Sequence, residues 1–201
     1  MNLAPYAKLR DGNDLESMDE RHVQMIYSVL CSEGSPQSKL NVVNIGIANG
    51  YSSIATLQAA REGIIDYARF VDVSIRECFR RLITSDISTY CLPLEKNSRD
   101  LDCQADVWII DGDHQKGAVD DYNKARTNGA KIIIAHDTCE TWCPAQQWGA
   151  IEIGRLMRND ATLFFEDWSD RQGEMTKRGL TIAFYYAPPA TTIDKLILLA
   201  K

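Results

Sequence analysis

From Leu40 onward the chain alternates between short apolar runs rich in valine and isoleucine and longer segments with helical spacing. That rhythm belongs to βαβ units feeding a parallel sheet. The apolar runs are Leu40 to Ile45, Arg69 to Val73, Thr89 to Leu94, Val107 to Ile110 and Lys131 to Ala135. Between them, Ser53 to Glu62, Ser74 to Ile83 and Gly117 to Arg126 carry apolar residues at helical intervals, and Ser74 with Glu77 has the spacing of a capping box. Five parallel strands are therefore expected. A helix is expected around Trp148 to Met157, and after it come the runs Thr162 to Asp167 and Leu180 to Tyr186. Only the polar stretch Ser169 to Arg178 separates these last two, too little for a crossover helix, so they pair antiparallel.

Ahead of this alternation stands one amphipathic helix, with Ser17 and Glu20 at capping-box spacing and Met18, His22, Met25, Ile26 and Val29 along its apolar side. The stretch Glu33-Gly34-Ser35-Pro36-Gln37-Ser38 reads as a linker, which divides the chain into a helical cap over 1–34 and a main α/β domain over 35–201. Lys and Arg total 22 against 28 Asp and Glu, so no surplus of cations exists to neutralise a phosphate backbone, and nucleic acid is a poor partner. The opening MNLAPYAKLRDGNDLE lacks the basic start and apolar core of a signal peptide, and no apolar run approaches the ~20 residues that span a bilayer. A cytoplasmic protein without membrane contact is expected. Cys31, Cys78, Cys91, Cys103, Cys139 and Cys143 are scattered rather than dense, which fits free thiols. The apolar stretch Ile193 to Ala200 would cover the sheet edge or a second subunit of a homodimer.

In an open parallel sheet, ligands bind beyond the carboxyl ends of the strands, where loops diverge and helix N-termini present free N–H groups. Asp72 ends the second run, Asp111 follows the fourth, Asp137 lies two residues past the fifth, and Gly46 and Gly50 follow the first. Any one of these acids reads equally well as a helix N-cap. Three of them on one edge beside a glycine loop read as a site. The loop spacing is Gly-x-Ala-x-Gly; Ala48 and Tyr51 stand where a dinucleotide fingerprint needs glycines, which disfavours an NAD(P)-type oxidoreductase. Asp72, at the next strand end, lies where a carboxylate accepts ribose hydroxyls.

The stretch from Asn41 to Thr138 resembles class I S-adenosylmethionine-dependent methyltransferases, in particular small-molecule O-methyltransferases with an Asp-Gly-Asp-His motif. The similar segments are Val43-Asn44-Ile45-Gly46-Ile47-Ala48-Asn49-Gly50-Tyr51-Ser52, Phe70-Val71-Asp72-Val73-Ser74, Val107-Trp108-Ile109-Ile110-Asp111-Gly112-Asp113-His114 and Ile134-Ala135-His136-Asp137. The resemblance implies a Rossmann-like, doubly wound, seven-stranded sheet, mostly parallel with an antiparallel C-terminal hairpin and helices on both faces. It places the methionyl part of the cofactor against Gly46, Ala48, Asn49, Gly50 and Ser52, its ribose at Asp72 and Val73, and its adenine near Asn97, Ser98 and Arg99, with Asp111 also at the cofactor. Asn44 departs from the pattern, since the family usually has an acid there.

The implied activity is transfer of a methyl group to a small-molecule acceptor, most simply a hydroxyl oxygen. The rivals are the oxidoreductase and a catalytically inactive S-adenosylmethionine-binding protein. Transfer from a sulfonium requires alignment and a deprotonated nucleophile, so His114 is the candidate base, with capping of the following helix as its alternative role. Asp111 joins it in the catalytic set. Asp111, His136 and Asp137, with Asp113 nearby, form a candidate site for Mg2+ or another divalent cation. Cys139 and Cys143 with His136 are a softer set, but structural zinc wants a fourth ligand and tighter cysteine spacing. Trp142 and Trp148 serve either as walls of an acceptor pocket or as ordinary packing.

Overall fold

The computed structural model describes residues 18–48, 50–139, 148–170 and 177–201. Helix α1 (Glu20–Glu33) precedes β1 (Leu40–Ile45), α2 (Ile54–Arg61), β2 (Ile65–Asp72), the single turn α3 (Glu77–Arg80), β3 (Cys91–Glu95), β4 (Val107–Ile110), α4 (Lys116–Thr127) and β5 (Ile132–His136). There follow α5 (Trp148–Asp160), β6 (Leu163–Asp170), β7 (Lys177–Phe184) and α6 (Ala190–Leu199). The seven strands form one sheet in the order β3-β2-β1-β4-β5-β7-β6, with β3 to β5 mutually parallel and β7 antiparallel to both of its neighbours. The expected α/β sheet with its antiparallel final hairpin is the observed architecture, and β7 inserts between β5 and β6.

Alternate residues of the strands feed two cores. Leu40 and Val42 of β1 face a cluster that contains α1 and α2, whereas Val43 and Ile45 face one built with Ala118, Tyr122 and Ala125 of α4 and Ile153 and Met157 of α5. Helices thus cover both faces. On α1, Val23, Met25, Ile26, Val29 and Leu30 are fully buried in the first cluster, each worth about 1.5–3 kcal/mol relative to exposure. Helix α6 lies on α1: Thr192 Oγ1 donates to Glu33 Oε1 at 2.7 Å, Tyr186 donates to the other oxygen of Glu33, and Leu196 is buried while Leu198 is exposed.

Three local expectations need correction. The start of α1 is capped by Asp19, whose Oδ1 accepts from Arg21 N at 2.8 Å; Ser17 lies outside the described residues. The helix expected over Ser74 to Ile83 is a single turn, because Asp72 Oδ1 takes the Ser74 N–H at 3.1 Å and Glu95 takes that of Ile75 at 3.4 Å, which ties 74–75 to the strand ends before helix can begin. The stretch Ser35 to Ser38 is a tight turn in which each residue's N–H donates to the other's carbonyl, at 3.0 and 3.1 Å. Strands β2 and β7 also extend beyond their apolar runs, since main-chain pairing of Ile65 with Leu40 and of Lys177 with Asp170 needs no apolar side chain.

Candidate active site

The sheet reverses its direction of progression between β1 and β4, and their loops part there to leave a crevice. Gly46 sits at the split with φ +79°, and a Cβ on it would lie 2.2 Å from the Asp111 carbonyl oxygen, so only glycine lets the two strand ends approach. Gly50 has φ +92° and faces the Phe79 ring, which a Cβ would meet at 2.7 Å. Ala48 between them has φ +44°, uncommon for a residue with a side chain. Asp72 braces this loop: its Oδ2 accepts from the N–H groups of Ile47 at 2.8 Å and Ala48 at 3.0 Å. Ser52, buried, donates from Oγ to Gly46 O at 3.2 Å.

A cavity of about 360 Å³ opens beside the loop. Of the residues nominated from the sequence, Gly46, Ala48, Asp72, Val73, Ser98, Arg99 and Asp111 line it, as does Asn97. Gly50 and Ser52 shape the loop from behind without lining the cavity, and Asn49 lies outside the described residues. Lys96, Gly112, Asp113 and Gly117 also line it and were not singled out as cofactor contacts. Asn44 is fully buried, and neither polar atom of its side chain has a hydrogen-bond partner among the described residues.

At the inner end of the crevice, two histidines bracket two aspartates. His136 Nδ1 is 3.1 Å from Asp111 Oδ1 and 3.4 Å from Asp137 Oδ1; His114 Nε2 is 3.5 Å from Asp137 Oδ2 and 3.9 Å from Asp111 Oδ1. Asp137 turns its carboxylate back into the cluster through a left-handed backbone, φ +57°, which aspartate tolerates better than most residues. Burial disfavours a charged His136, yet the charges of Asp137 and Asp111 and its hydrogen bonds to both outweigh that, and raise the ring to about 10. Burial likewise opposes ionisation of Asp111, but His136 above all, with His114, holds its carboxyl below the ordinary value. For His114 burial pulls the ring down, and Asp111 and the charge of Asp137 prevail, so it ends above the ordinary histidine value.

His114 does not cap α4. The cap hydrogen bonds come from Asp113, whose carboxylate accepts from Gln115 N and Gly117 N, both at 3.0 Å, so the imidazole remains in the cluster. Asp111, His136 and Asp137 each offer a ligand atom, all within 4.8 Å of one another, which fits a small cation. Two carboxylate oxygens with one imidazole suit manganese or a similar transition ion at least as well as magnesium. Beyond β5, Thr138 Oγ1 and Thr181 Oγ1 share a hydrogen bond of 2.8 Å, and Glu166 links Thr181 to Arg158. Cys139 is buried beside this network, while Trp142 and Cys143 lie outside the described residues; Trp148, which opens α5, is 45% exposed. Sequence reasoning placed His22 in the helix's apolar stripe and missed that it reaches this cluster: its ring packs edge-on against His136, with centroids 5.4 Å apart.

No protein-family model matches the sequence, and no curated protein is significantly similar to it. Solved structures are similar in fold. The O-methyltransferase TomG of Streptomyces achromogenes, involved in tomaymycin synthesis and solved with SAM, superposes with a TM-score of 0.62 at 13% identity, over 92% of this chain and 87% of that one. An O-methyltransferase from Bacillus cereus in complex with SAH gives 0.60 at 12% identity, covering 89% of this chain and 86% of its own. The N-methyltransferase NodS of Bradyrhizobium japonicum WM9 with SAH gives 0.59 at 12%, covering 89% and 97%. Among the described residues no helix is long and apolar enough to cross a membrane. The chain has the Rossmann-like fold on which these methyltransferases are built.

Proposed function

We propose that this protein is an S-adenosylmethionine-dependent methyltransferase acting on a hydroxyl oxygen of a small molecule. The observation that carries the reading is the adjacency of two halves of one site at Asp111. On one side Asp111 lines the cavity that also holds the braced glycine loop, Asp72 and the 97–99 turn; on the other it belongs to the cluster with His114, His136 and Asp137.

Bound in the cavity, S-adenosylmethionine supplies an activated methyl group on sulfur. The loop and Asp72 fix its sugar and methionyl ends, and the turn at Asn97, Ser98 and Arg99 receives its base. His114 takes the acceptor's proton, and Asp111 and Asp137, which face its Nε2, stabilise the imidazolium that results. Asp111, Asp137 and His136 would hold a divalent cation, which lowers the pKa of an acceptor hydroxyl. Among relatives in fold, both O- and N-methyltransferases occur, and the oxygen preference here rests on the carboxylate pair beside a base, an arrangement suited to drawing a proton from a hydroxyl.

Calorimetry with S-adenosylmethionine, S-adenosylhomocysteine and NAD+ tests the cofactor, with binding of the first two alone as the expected result. Preference for NAD+ would favour the oxidoreductase instead. Incubation with a panel of phenols, catechols, hydroxy acids and amines, with Mn2+, Mg2+ or EDTA, then tests the chemistry through release of S-adenosylhomocysteine. Methylation confined to amines refutes the oxygen assignment, and turnover unaffected by exhaustive chelation refutes the metal. Cofactor binding with no turnover on any acceptor class points to an inactive binding protein.

A further inference from the structure

The apolar stripe of α1 contains one residue that packing alone does not explain. His22 is fully buried among Met25, Ile26 and Val29, and an imidazole in such a place loses hydration that a leucine of similar size would not. Its neighbours show what the ring contacts. Register across the sheet sets His136 of β5 opposite Leu180 of β7, and Leu180 opposite Asp167 of β6, so the three side chains stand in one row on one face. Leu180, fully buried, stands between the other two in that row. The His22 ring meets His136 edge-on at an interplanar angle of 76°, and its Nε2 is 3.2 Å from Asp167 Oδ2. Arg21, the preceding residue, reaches the same oxygen from Nη2 at 2.8 Å and donates to Trp168 O at 3.2 Å.

We infer that His22 is a positioning residue for His136: packed edge-on against it and lying within 3.2 Å of Asp167, it holds the His136 ring in the orientation that aims Nδ1 at Asp111 and Asp137. This rests on the reading of His136 as a member of the catalytic cluster. The inference follows from how little else fixes that ring. Metal-ligating histidines usually gain their orientation from a hydrogen bond on the second nitrogen, but His136 Nε2 is buried and has no such partner among the described residues. Nδ1 contacts hold one edge, and on the other side the imidazole of His22 packs against it. Without the edge-on contact of the His22 ring, His136, whose side chain is only 3% exposed, loses the flat partner that sets its plane and can turn away from the carboxylates. The first turn of α1 is therefore part of the active site, brought there by the Arg21 and His22 contacts to β6.

The chain has 3 histidines, so the ring signals of His136 are readily assigned in an NMR spectrum of the full-length protein. The test compares wild type with His22→Leu, which keeps bulk without an edge-on ring, and with His22→Phe, which keeps the ring. Three quantities are measured: the His136 ring signals, the affinity for Mn2+ and the affinity for S-adenosylhomocysteine. In His22→Leu the His136 signals should move or broaden and Mn2+ affinity should fall about tenfold or more, the effect typical of an outer-shell partner, with S-adenosylhomocysteine affinity within about twofold. His22→Phe, which keeps the edge-on ring but loses the contact with Asp167, should restore part of both. Unchanged His136 signals in folded His22→Leu overturn the inference. Wild type that binds no Mn2+ refutes the metal assignment alone, since the ring signals still decide the role of His22. If His22→Leu does not fold, Asp167→Asn answers through the same signals: a shift supports the anchored row, and none overturns it.

Discussion

The N–H of Gly149 donates to the carbonyl oxygen of His114 at 2.9 Å, which seats the first turn of α5 on the loop that carries the proposed base. The fit leaves no room for a side chain, because a Cβ on Gly149 would lie 1.7 Å from the Gln115 carbonyl oxygen. Gly149→Ala must push the two segments apart, and overpacking of this kind costs about 1–3 kcal/mol. Methyl transfer should fall at least about tenfold through displacement of His114, while affinity for S-adenosylhomocysteine stays near that of wild type. A thermal melt, a turnover assay and calorimetry on the one variant check all three.

Replacement of the base itself has a sharper signature. His114→Ala should lower kcat by about 10²–10⁴, the usual contribution of a general base, and leave S-adenosylhomocysteine binding unchanged because the imidazole does not line the cofactor cavity. Turnover within a few-fold of wild type removes His114 from the chemistry.

Asp72 has two tasks, one toward the loop and one toward the cavity. Both its oxygens accept main-chain N–H groups, Ile47 and Ala48 on Oδ2 and Ser74 on Oδ1. The amide of Asp72→Asn turns a donor toward one of these sets whichever way it flips. The loop should loosen and S-adenosylhomocysteine affinity drop by about 10- to 100-fold, the equivalent of about 1.5–3 kcal/mol for a hydrogen bond to a charged group. Titration calorimetry gives the number, and an affinity equal to wild type refutes the role.

The pH dependence of stability should carry the mark of Asp121. This aspartate on α4 is 1% exposed, one of its oxygens has no hydrogen-bond partner among the described residues, and burial raises its carboxyl to about 6 against the opposing pull of Ser98 and Lys124. In the unfolded chain it titrates near the ordinary 3.8, so between these values the folded state binds more protons. Its contribution to stability is full below the lower value and lost as pH rises through the higher one. Asp121→Asn should therefore be more stable than wild type at pH 8 by about 2–3 kcal/mol and nearly equal to it at pH 4, as denaturant melts at both pH values would show.

Strand content was legible because β1, β4 and β5 are buried on both faces and are therefore mostly apolar; Val107–Ile110 is read from the sequence without error. The antiparallel hairpin followed from a connection too short to cross over. Helix α3 was not legible, since a capping-box spacing cannot compete with Asp72 and Glu95 for the N–H groups of Ser74 and Ile75. At the site, Gly46, Asp72 and Asp111 announce themselves by ending or following strands, and the cluster of His114, His136 and Asp137 by lying at or just past the ends of neighbouring ones. His22 and Gly149 do not. Each reaches the site across the fold, His22 through a helix laid over the sheet and Gly149 through a helix docked on a loop, and no local spacing encodes either contact.

The insertion of β7 between β5 and β6 has a consequence for synthesis on the ribosome. The strand that bears His136 receives its outer neighbour only when residues through Phe184 have emerged, because Ile132 pairs with Phe184 and His136 with Leu180. Until then the nascent chain presents an unpaired, largely apolar ribbon, a template for sticking to other chains. Chaperone occupancy during translation should peak in that window.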